Sequence, residues 1–296
     1  MKIGILVSSK RKRIWPAEEL KKTALSMGYK AVILDPAELT IIIRGKLIDV
    51  IHNRTRRSLI EGDSVFLLRR PDYANPELLF YRIDVIRALE LSGKTVINRI
   101  EAFLKAVDKI RTSMLLAKNG IPTPYTVVSE EEAPAMRAHI EFGKSVVKPI
   151  FGSQGKGSVL IENIDSAWRV FRLHRYYRVP IYVQSYVEHR NRDIRVFVLG
   201  ERVLSAMYRV SNSWKTNISQ GARPMPMKLT NELEEIALKS AEIIGADIAG
   251  VDIIESKEGP MVLEVNACPE WKGLQKVTKV NISEEIIRYV ISKARR

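Results

Sequence analysis

Cysteine is nearly absent from this chain of 296 residues, since Cys268 is the only one. A single thiol cannot form an internal disulfide and cannot supply a thiolate metal site. No apolar run approaches the roughly 20 residues that a membrane-spanning helix requires. The apolar part of the N-terminal segment MKIGILVSSK is too short for a signal peptide and predicts a first β-strand. These absences favour a soluble, cytoplasmic protein with no membrane partner.

Acidic residues are outnumbered by basic ones, with 48 Lys and Arg against 34 Asp and Glu and a formal net charge of +14. A charge of this size implies an anionic partner, such as nucleic acid, a nucleotide, a membrane surface or an acidic substrate, without choosing among them. Few aromatic residues accompany the basic ones, so nucleic-acid binding by base stacking has little support. The excess is unevenly spread, and in residues 42–70 seven basic residues stand against Asp49, Glu61 and Asp63. A solvated basic face is the alternative interpretation of this stretch. Its basic residues are Arg44, Lys46, Arg54, Arg56, Arg57, Arg69 and Arg70.

Strand-like and helix-like segments alternate through the first hundred residues. KIGILV, AVILD, SVFLL and TVIN predict strands, and helical spacing runs from Pro16 to Met27 and from about Pro76 to Leu91. This alternation predicts a parallel sheet covered by helices. A helical block over about 100–119 follows and ends at NGIPTP, where glycine and proline stop it.

From Thr126 onward the sequence predicts strands joined by short turns. The main segments are KSVVKP, GSVLI, IYVQSYV, DIRVFVLGERVLSAMYRV and DIAGVDIIESKEGPMVLEVN, with hairpin turns at LGER and SKEG. Helices are predicted at about 165–175, 231–244 and 283–294, the second with Asn231 and Glu234 as a cap pair. The predicted fold class is therefore α/β, changing to α+β in the C-terminal part. The predicted domains are 1–100, 101–186 and 187–296.

The segment SVVKPIFGSQGKGSVLI, residues 145–161, places three glycines between two apolar runs. It is not a Walker A loop, because Ser158 stands where a lysine should follow Gly157, and Leu160 replaces the third glycine of a dinucleotide fingerprint. What remains is a strand ending near Lys148, a glycine loop and a returning strand. Backbone N–H groups of such a loop can close over phosphate oxygens, with Lys148 facing an α- or β-phosphate. An ordinary glycine-rich hairpin is the alternative.

The segment GVDIIESKEGPMVLEVNACP, residues 250–269, predicts a hairpin with acids on one face. Asp252 lies opposite Glu264, and Asn266 shares their face. Opposed carboxylates repel unless a cation lies between them, and this all-oxygen set suits Mg²⁺ beside substrate phosphates. A pair of solvated surface acids is the alternative. The other face is wholly apolar and should pack on the core: Val251, Ile253, Leu263 and Val265.

These features, in this order, resemble the ATP-grasp superfamily and, within it, the RimK-like alpha-L-glutamate ligases. The resemblance runs almost end to end through KIGIL, ILDPAELTIIIRGKLID, AVDKIRTSMLLAKNGIPTPYTVV, VVKPIFGSQGKGSVLI, VQSYVEHRNRDIRVFVLGERVLSAMYRV, WKTNISQGA and AGVDIIESKEGPMVLEVNACPEWKGLQKVT. It implies an ATP-grasp fold, in which a Rossmann-like N-terminal domain precedes two subdomains that clamp ATP between antiparallel sheets. ACPEWKG departs from the family's commoner ASPGLEG, which leaves the acceptor open.

The resemblance also implies roles for single residues. Lys109 and Lys148 approach the nucleotide phosphates, Gly155 belongs to a lid, and Asp193 approaches the ribose or the phosphates. Arg195 faces the reacting centre. A hinge that offers backbone groups to adenine is implied at Gln184, Ser185, Tyr186 and Val187. Lys215 and Asn217 are implied to line the triphosphate. The implied ligands of two Mg²⁺ or Mn²⁺ ions are Asp252, Glu264 and Asn266. Ser185 departs from the glutamate that is frequent in the hinge.

The implied reaction is ATP-dependent ligation through an acyl phosphate, with L-glutamate as the amine and Arg195 beside the oxyanion. The implied acceptor is an anionic coenzyme, such as tetrahydromethanopterin or a deazaflavin coenzyme, or the C-terminus of an acidic protein. An ATP-grasp phosphotransferase and a basic nucleic-acid-binding module are the alternatives, and a homo-dimer or homo-tetramer is expected. The four histidines show no metal spacing and are predicted at the surface or in loops. We further predict that five arginines recognise the acceptor: Arg54, Arg56, Arg57, Arg69 and Arg70.

Overall fold

The computed structural model describes residues 1–8, 14–71, 75–152 and 154–295. Its N-terminal part contains β1 (Lys2–Val7), α1 (Trp15–Ser26), β2 (Lys30–Leu34), β3 (Leu39–Arg44), β4 (Leu47–His52), β5 (Ser64–Arg70), α2 (Pro76–Leu91) and β6 (Thr95–Ile97). Four of these strands form a parallel sheet in the order β2-β1-β5-β6, which confirms the predicted topology. Strands β3 and β4 form a separate antiparallel hairpin, so the basic stretch of residues 42–70 is divided among this hairpin, the loop after it and β5.

The predicted helical block divides at Asp108 into two helices. These are α3 (Ile100–Val107) and α4 (Lys109–Lys118). The Asp108 carboxylate accepts the N–H groups of Ile110 and Arg111, so it caps α4 and fixes Lys109 as the first residue of that helix.

The central part carries a four-stranded antiparallel sheet in the order β7-β10-β8-β9. Its elements are β7 (Thr126–Ser129), α5 (Glu132–Phe142), β8 (Ser145–Lys148), β9 (Val159–Ile161), α6 (Ile164–Tyr176) and β10 (Ile181–Ser185). Helix α5 was not predicted from the sequence. Its Pro134 resembles a helix breaker, but it lies in the first turn, where the missing N–H removes no helical hydrogen bond.

The C-terminal part builds a five-stranded antiparallel sheet in the order β13-β12-β11-β14-β15. Its elements are β11 (Arg192–Leu199), β12 (Arg202–Val210), β13 (Arg223–Pro226), α7 (Asn231–Ile244), β14 (Ile248–Ser256), β15 (Gly259–Asn266) and α8 (Ile282–Ala294). The predicted hairpin turns are confirmed. The predicted Asn231–Glu234 cap is wrong, because the Thr230 side chain accepts from the Leu233 N–H and is the N-cap of α7.

Helix α8 returns to the first sheet, although it ends the chain. It packs against α1 and β5, and its Ile287 shares a buried cluster with Ile3 of β1 and Phe197 of β11. Asn98 adds a polar link, since its side chain donates to the carbonyls of Ile248 and Ala267 and accepts from the Ile248 N–H. The parallel sheet is thereby tied to both ends of the β14–β15 hairpin. The domain boundaries near 100 and 186 stay predictions.

Among the described residues, the helices are all too short or too polar to cross a bilayer.

Candidate active site

The predicted site residues line two adjoining cavities. The first lies between the four-stranded and the five-stranded sheets, and the second opens beyond the acidic hairpin. Arg195 and Asn266 line the second cavity, called the cleft below. The other predicted residues line the first cavity: Lys109, Lys148, Gly155, Gln184, Ser185, Tyr186, Val187, Asp193, Lys215, Asn217, Asp252 and Glu264. Four residues line both and mark the junction: Arg209, Asn217, Asp252 and Glu264.

The β14–β15 hairpin has the predicted register at its acidic face, where Asp252 pairs with Glu264. The register shifts one step later, because Ile253 pairs with Val262 and Leu263 is the extra residue of a β-bulge. Val262 therefore joins the core, whereas Leu263 lines the first cavity. The prediction that Leu263 faces the core is wrong, and the bulge is the reason.

Asp252 is buried beside two arginines. The Nη2 of Arg195 donates to Asp252 Oδ2 at 3.1 Å, and the Nη2 of Arg209 lies 2.9 Å from the same oxygen. The Nε of Arg195 lies 2.6 Å from Asp252 Oδ1 but is not aligned as a hydrogen bond. Oδ1 is therefore a buried carboxylate oxygen with charge neutralisation but no hydrogen-bond donor, which leaves its lone pairs for a cation.

Arg209 organises a buried ion-pair network that the sequence analysis missed. Its Nε donates to Asp193 Oδ1 at 2.7 Å, its Nη2 contacts Asp193 Oδ2, and Thr216 Oγ1 donates to that oxygen at 2.7 Å. Burial by itself lowers the pKa of Arg209, but the Asp193 and Asp252 carboxylates outweigh burial and raise it. Both oxygens of Asp193 are thus occupied by protein groups. The sequence contained no signal for this pair, because Asp193 lies opposite Arg209 only through a register shift between Phe197 and Val198 in the β11–β12 pairing.

Lys148 projects from the end of β8 into the first cavity. Its Nζ donates to Gln184 Oε1, and the Gln184 amide in turn donates to Thr126 Oγ1 at 2.9 Å. The side chain is partly exposed, but to the cavity rather than to bulk solvent, and burial lowers the pKa of Lys148 to about 8. The Glu264 and Asp252 carboxylates oppose that shift, and the Lys109 charge adds to it. Lys148 is therefore a cation held at an energetic disadvantage until an anion enters.

The glycine loop lies against the segment that carries Asn217. Gly155 has φ of +69°, and a Cβ at this position would lie 2.3 Å from Asn217 Oδ1. Gln220 Nε2 donates to the Gln154 carbonyl at 3.3 Å, and Lys109 Nζ donates to the Gly152 carbonyl at 3.0 Å. The described part of the loop therefore lies against the first cavity, and the positive φ together with the close approach of Asn217 favours glycine at residue 155.

Comparison of the chain with known proteins identifies its family. A sequence model of the RimK-like ATP-grasp domain matches residues 106–290. The chain is 34% identical over 300 residues to a tetrahydromethanopterin:alpha-L-glutamate ligase of Methanococcus maripaludis, with 100% of this chain and 99% of the relative covered. The chain belongs to the RimK-like ATP-grasp family.

A further relative and a solved structure agree with this family. A probable alpha-L-glutamate ligase of Legionella pneumophila is 31% identical over 300 residues, covering 100% of this chain and 97% of the relative. The structure of the ATP-grasp ligase PsnB, complexed with a minimal precursor, Mg and ADP, matches with a TM-score of 0.76 at 20% identity, covering 99% and 98% of the two chains. The predicted ATP-grasp fold is confirmed.

The hinge of this family member uses some of its backbone groups internally. The Ser185 N–H donates to the Tyr125 carbonyl at 2.8 Å, and the Tyr186 N–H donates to the Lys144 carbonyl at 3.0 Å. These two donors are not free for a base, so the predicted adenine contacts need other groups of the hinge. The Gln184 side chain faces Lys148, which is a role that the sequence did not indicate.

Two of the four histidines are buried: His139 lies within α5, contrary to the prediction, whereas His189 lies in the loop between β10 and β11, as predicted. His139 contacts Ser145 Oγ at 2.9 Å through Nδ1, and burial lowers its pKa. His189 lines the first cavity with its Nδ1 unpaired, and burial likewise lowers its pKa. His52 and His174 remain partly exposed. Hydropathy alone gave no sign of this difference.

The predicted metal set fits a magnesium site by its chemistry. The described residues contain no cluster of three or more His, Cys, Asp or Glu, and the predicted set itself consists of two carboxylates and an amide. Glu264 forms no ion pair within the described ranges, and Asp252 Oδ1 has no hydrogen-bond donor. Asn266 Oδ1 accepts from the Cys268 N–H at 2.8 Å, which fixes the orientation of the amide.

The five arginines predicted to recognise the acceptor do not lie together. Arg54 pairs with Glu38 at 2.6 Å, and Arg56 and Arg57 are exposed on the loop after β4. Arg69 is buried, donates to the Pro269 carbonyl at 2.6 Å and lies over the Trp271 ring. Arg70 is the member of this group that lines the cleft. The basic stretch therefore does not form one recognition surface.

Proposed function

We propose that this chain is an ATP-dependent ligase that joins L-glutamate to a carboxylate of an anionic acceptor. The observation that carries the proposal is the junction of the two cavities. Asp252 and Glu264 line both the first cavity and the cleft, so a phosphoryl group held there faces a second substrate directly. The relatives in Methanococcus and Legionella are alpha-L-glutamate ligases by name, which supports glutamate as the amine.

The first cavity has the charge and shape for a nucleotide triphosphate. Lys109, Lys148 and Lys215 bring three positive charges to it, and the glycine loop covers it. Lys148 regains a favourable environment when phosphate oxygens approach its Nζ, because an opposite charge offsets the burial of the ammonium. The closed loop also excludes water, which protects an acyl phosphate from hydrolysis.

Asp252, Glu264 and Asn266 would hold Mg²⁺ or Mn²⁺, and two ions are part of the proposal. The bound metal supplies charge neutralisation on the β- and γ-phosphates. The family neighbour PsnB was solved with Mg and ADP, in agreement with this chemistry. Arg195 and Arg209 form ion pairs with Asp252 and hold its carboxylate at the junction.

The chemistry runs in two steps. An acceptor carboxylate oxygen attacks the γ-phosphorus, the bond to the ADP oxygen breaks, and an acyl phosphate forms. The glutamate amine then attacks the acyl carbon, loses a proton, and phosphate leaves as the amide forms. Arg195 lines the cleft beside the junction, where its guanidinium can stabilise the oxyanion of the second step.

Tetrahydromethanopterin is the first acceptor to test, because a relative of full matching length is named for it. A deazaflavin coenzyme and an acidic protein C-terminus follow as further acceptors. We further propose that the enzyme is cytoplasmic and forms a homo-dimer or homo-tetramer. Light scattering tests the oligomeric state. No observation favours a phosphotransferase or a nucleic-acid-binding module.

The test is mass spectrometry of products after incubation with Mg-ATP, L-glutamate and each acceptor. A mass increment of one or more glutamyl residues, with ADP and phosphate formed in equal amounts, supports the ligase. A phosphoryl increment without glutamate supports a phosphotransferase instead. A Glu264→Gln variant serves as the matched inactive control, because it removes one carboxylate at the junction and changes no ion pair of the described residues.

A further inference from the structure

Basic side chains dominate the cleft beyond the junction. Six of them line it: Arg70, Arg195, Arg209, Arg223, Lys272 and Lys276. Three acids face them: Asp252, Glu264 and Glu270. The cleft therefore has an excess of positive charge on the side away from the nucleotide cavity.

The ion pairs divide these charges into two groups. Arg195 and Arg209 are engaged with Asp252, and Arg209 also with Asp193. Arg223, Lys272 and Lys276 form no ion pair within the part of the chain that the structure describes, and all three line the cleft as exposed residues. Glu270 is the acid of the cleft that lies outside the junction, and its charge also acts on Arg69, so it offsets only part of these three positive charges.

A rigid segment presents Lys272 and Lys276. Trp271 anchors its start, since the ring is fully buried and its Nε1 donates to Ser283 Oγ at 3.1 Å. Gln275 fixes its end by donating to the Val280 carbonyl at 2.8 Å and accepting the Ile282 N–H at 3.0 Å. The segment that carries the two lysines is thus fixed at both ends, and neither lysine has an ion-pair partner among the described residues, which favours binding of an anion.

We infer that the cleft selects an acceptor carrying several anionic groups in addition to the carboxylate that reacts, and that Arg223, Lys272 and Lys276 determine this specificity. The inference rests on the proposed function and defines the substrate class of the same site. Carboxylates and phosphates both satisfy lysine and arginine, so the shared requirement is multiple negative charge. The exposed arginines after β4 have no part in it.

Binding to the Mg-ADP complex of the full chain tests the inference by calorimetry. The probes are two acetylated tetrapeptides of equal length, tetraglutamate and tetraglutamine, and a tetraphosphoserine peptide distinguishes phosphate from carboxylate recognition. We expect tetraglutamate to bind at least about tenfold more tightly than tetraglutamine, since each of three exposed charge pairs contributes a modest factor. The triple variant Arg223→Gln, Lys272→Gln and Lys276→Gln should lose that advantage.

The matched control is the triple variant Arg54→Gln, Arg56→Gln and Arg57→Gln, which removes the same total charge away from the cleft. It should bind tetraglutamate as the wild type does, and both triple variants should bind Mg-ADP unchanged. Equal binding of the two peptides, no binding of tetraglutamate, or equal losses in both variants would overturn the inference. Charge-selective binding without any glutamyl product would refute the proposed function alone, whereas glutamyl transfer without charge selectivity would refute this inference alone.

Discussion

Replacing Gly155 by alanine perturbs the lid at a single, well-defined contact. Gly155 has φ of +69°, and an added Cβ would lie 2.3 Å from Asn217 Oδ1. An ordinary contact begins at 3.4 Å, so the lid and Asn217 must separate by about 1 Å. Asn217 lines the junction of the two cavities, where a triphosphate would meet it. The substitution therefore displaces either the glycine loop or the Asn217 amide, which we propose contacts the phosphates.

The magnitude follows from the contact that is lost. A hydrogen bond to a charged group contributes about 1.5 to 3 kcal/mol, which corresponds to about a 10- to 150-fold change in affinity. Left-handed backbone adds about 1 to 2 kcal/mol of strain for alanine, but this strain is present with and without nucleotide. We expect the Kd of Mg-ATP to rise by at least about tenfold in Gly155→Ala.

Gly157→Ala is the matched control for backbone strain. Gly157 has φ of +76°, but its added Cβ would meet Pro149 Cγ at 3.3 Å and would not reach Asn217. Calorimetric titration of Mg-ATP into both variants separates strain from the Asn217 contact. An Asn217→Ala background completes a double-mutant cycle, in which Gly155→Ala should cost no more affinity than Gly157→Ala. Equal Kd values for the two glycine variants, or a full loss that persists without Asn217, would refute the reasoning.

Three further predictions concern charge and packing. Because the pKa of Lys148 lies near 8, we expect the protein to take up about half a proton when ATP binds at pH 8. Calorimetry in buffers of different ionisation enthalpy measures this uptake, which should be absent in Lys148→Arg. The same lowered pKa makes the unfolded chain bind more protons between pH 8 and 10.5, so this lysine's contribution to stability rises with pH there. Glu264→Gln should abolish Mg-dependent turnover and leave the Tm unchanged. Asp252→Asn should also abolish turnover, and it should lower the free energy of unfolding by about 3 kcal/mol because Arg195 and Arg209 lose a buried partner. Equal Tm values for the two variants would contradict this prediction. Asn98→Ala should destabilise the fold by about 2 to 4 kcal/mol in urea unfolding, since it leaves buried groups of Ile248 and Ala267 unpaired, whereas the exposed Asn119→Ala should change little.

The sequence was most informative where the alternation of apolar and polar residues determines which face of a strand packs on the core. The pairing of Asp252 with Glu264 followed from burying Val251 and Val265, because a slip of one residue would turn the acids toward the apolar core instead of the cavity. The bulge at Leu263 could not be predicted in this way. A bulge inserts one residue without changing the apolar composition, so its signature is absent from the pattern.

Local surroundings explain why the predicted acceptor arginines do not act together. Arg69 and Arg70 are neighbours at the end of β5, where its pairing with β1 shifts register, yet Arg69 donates to the buried Pro269 carbonyl and Arg70 lines the cleft. Charge density along the sequence suggested a common role for them, but their contacts differ. Burial of Arg69 depends on Trp271 and Pro269, which lie 200 residues or more away in sequence and could not be placed without the fold.

Charge balance at the junction identifies the group that most needs a metal ion. Arg195 and Arg209 together match the charges of Asp193 and Asp252, so this buried network is neutral as a unit. Glu264 lies outside it and is paired with Asp252 across the hairpin, with no ion pair of its own in the described residues. The negative charge left at the junction therefore belongs to Glu264, where a triphosphate would add more. Glu264 would therefore be a main ligand of a divalent cation, which would offset its charge and that of the triphosphate, so removing this one carboxylate should stop turnover while leaving the fold intact.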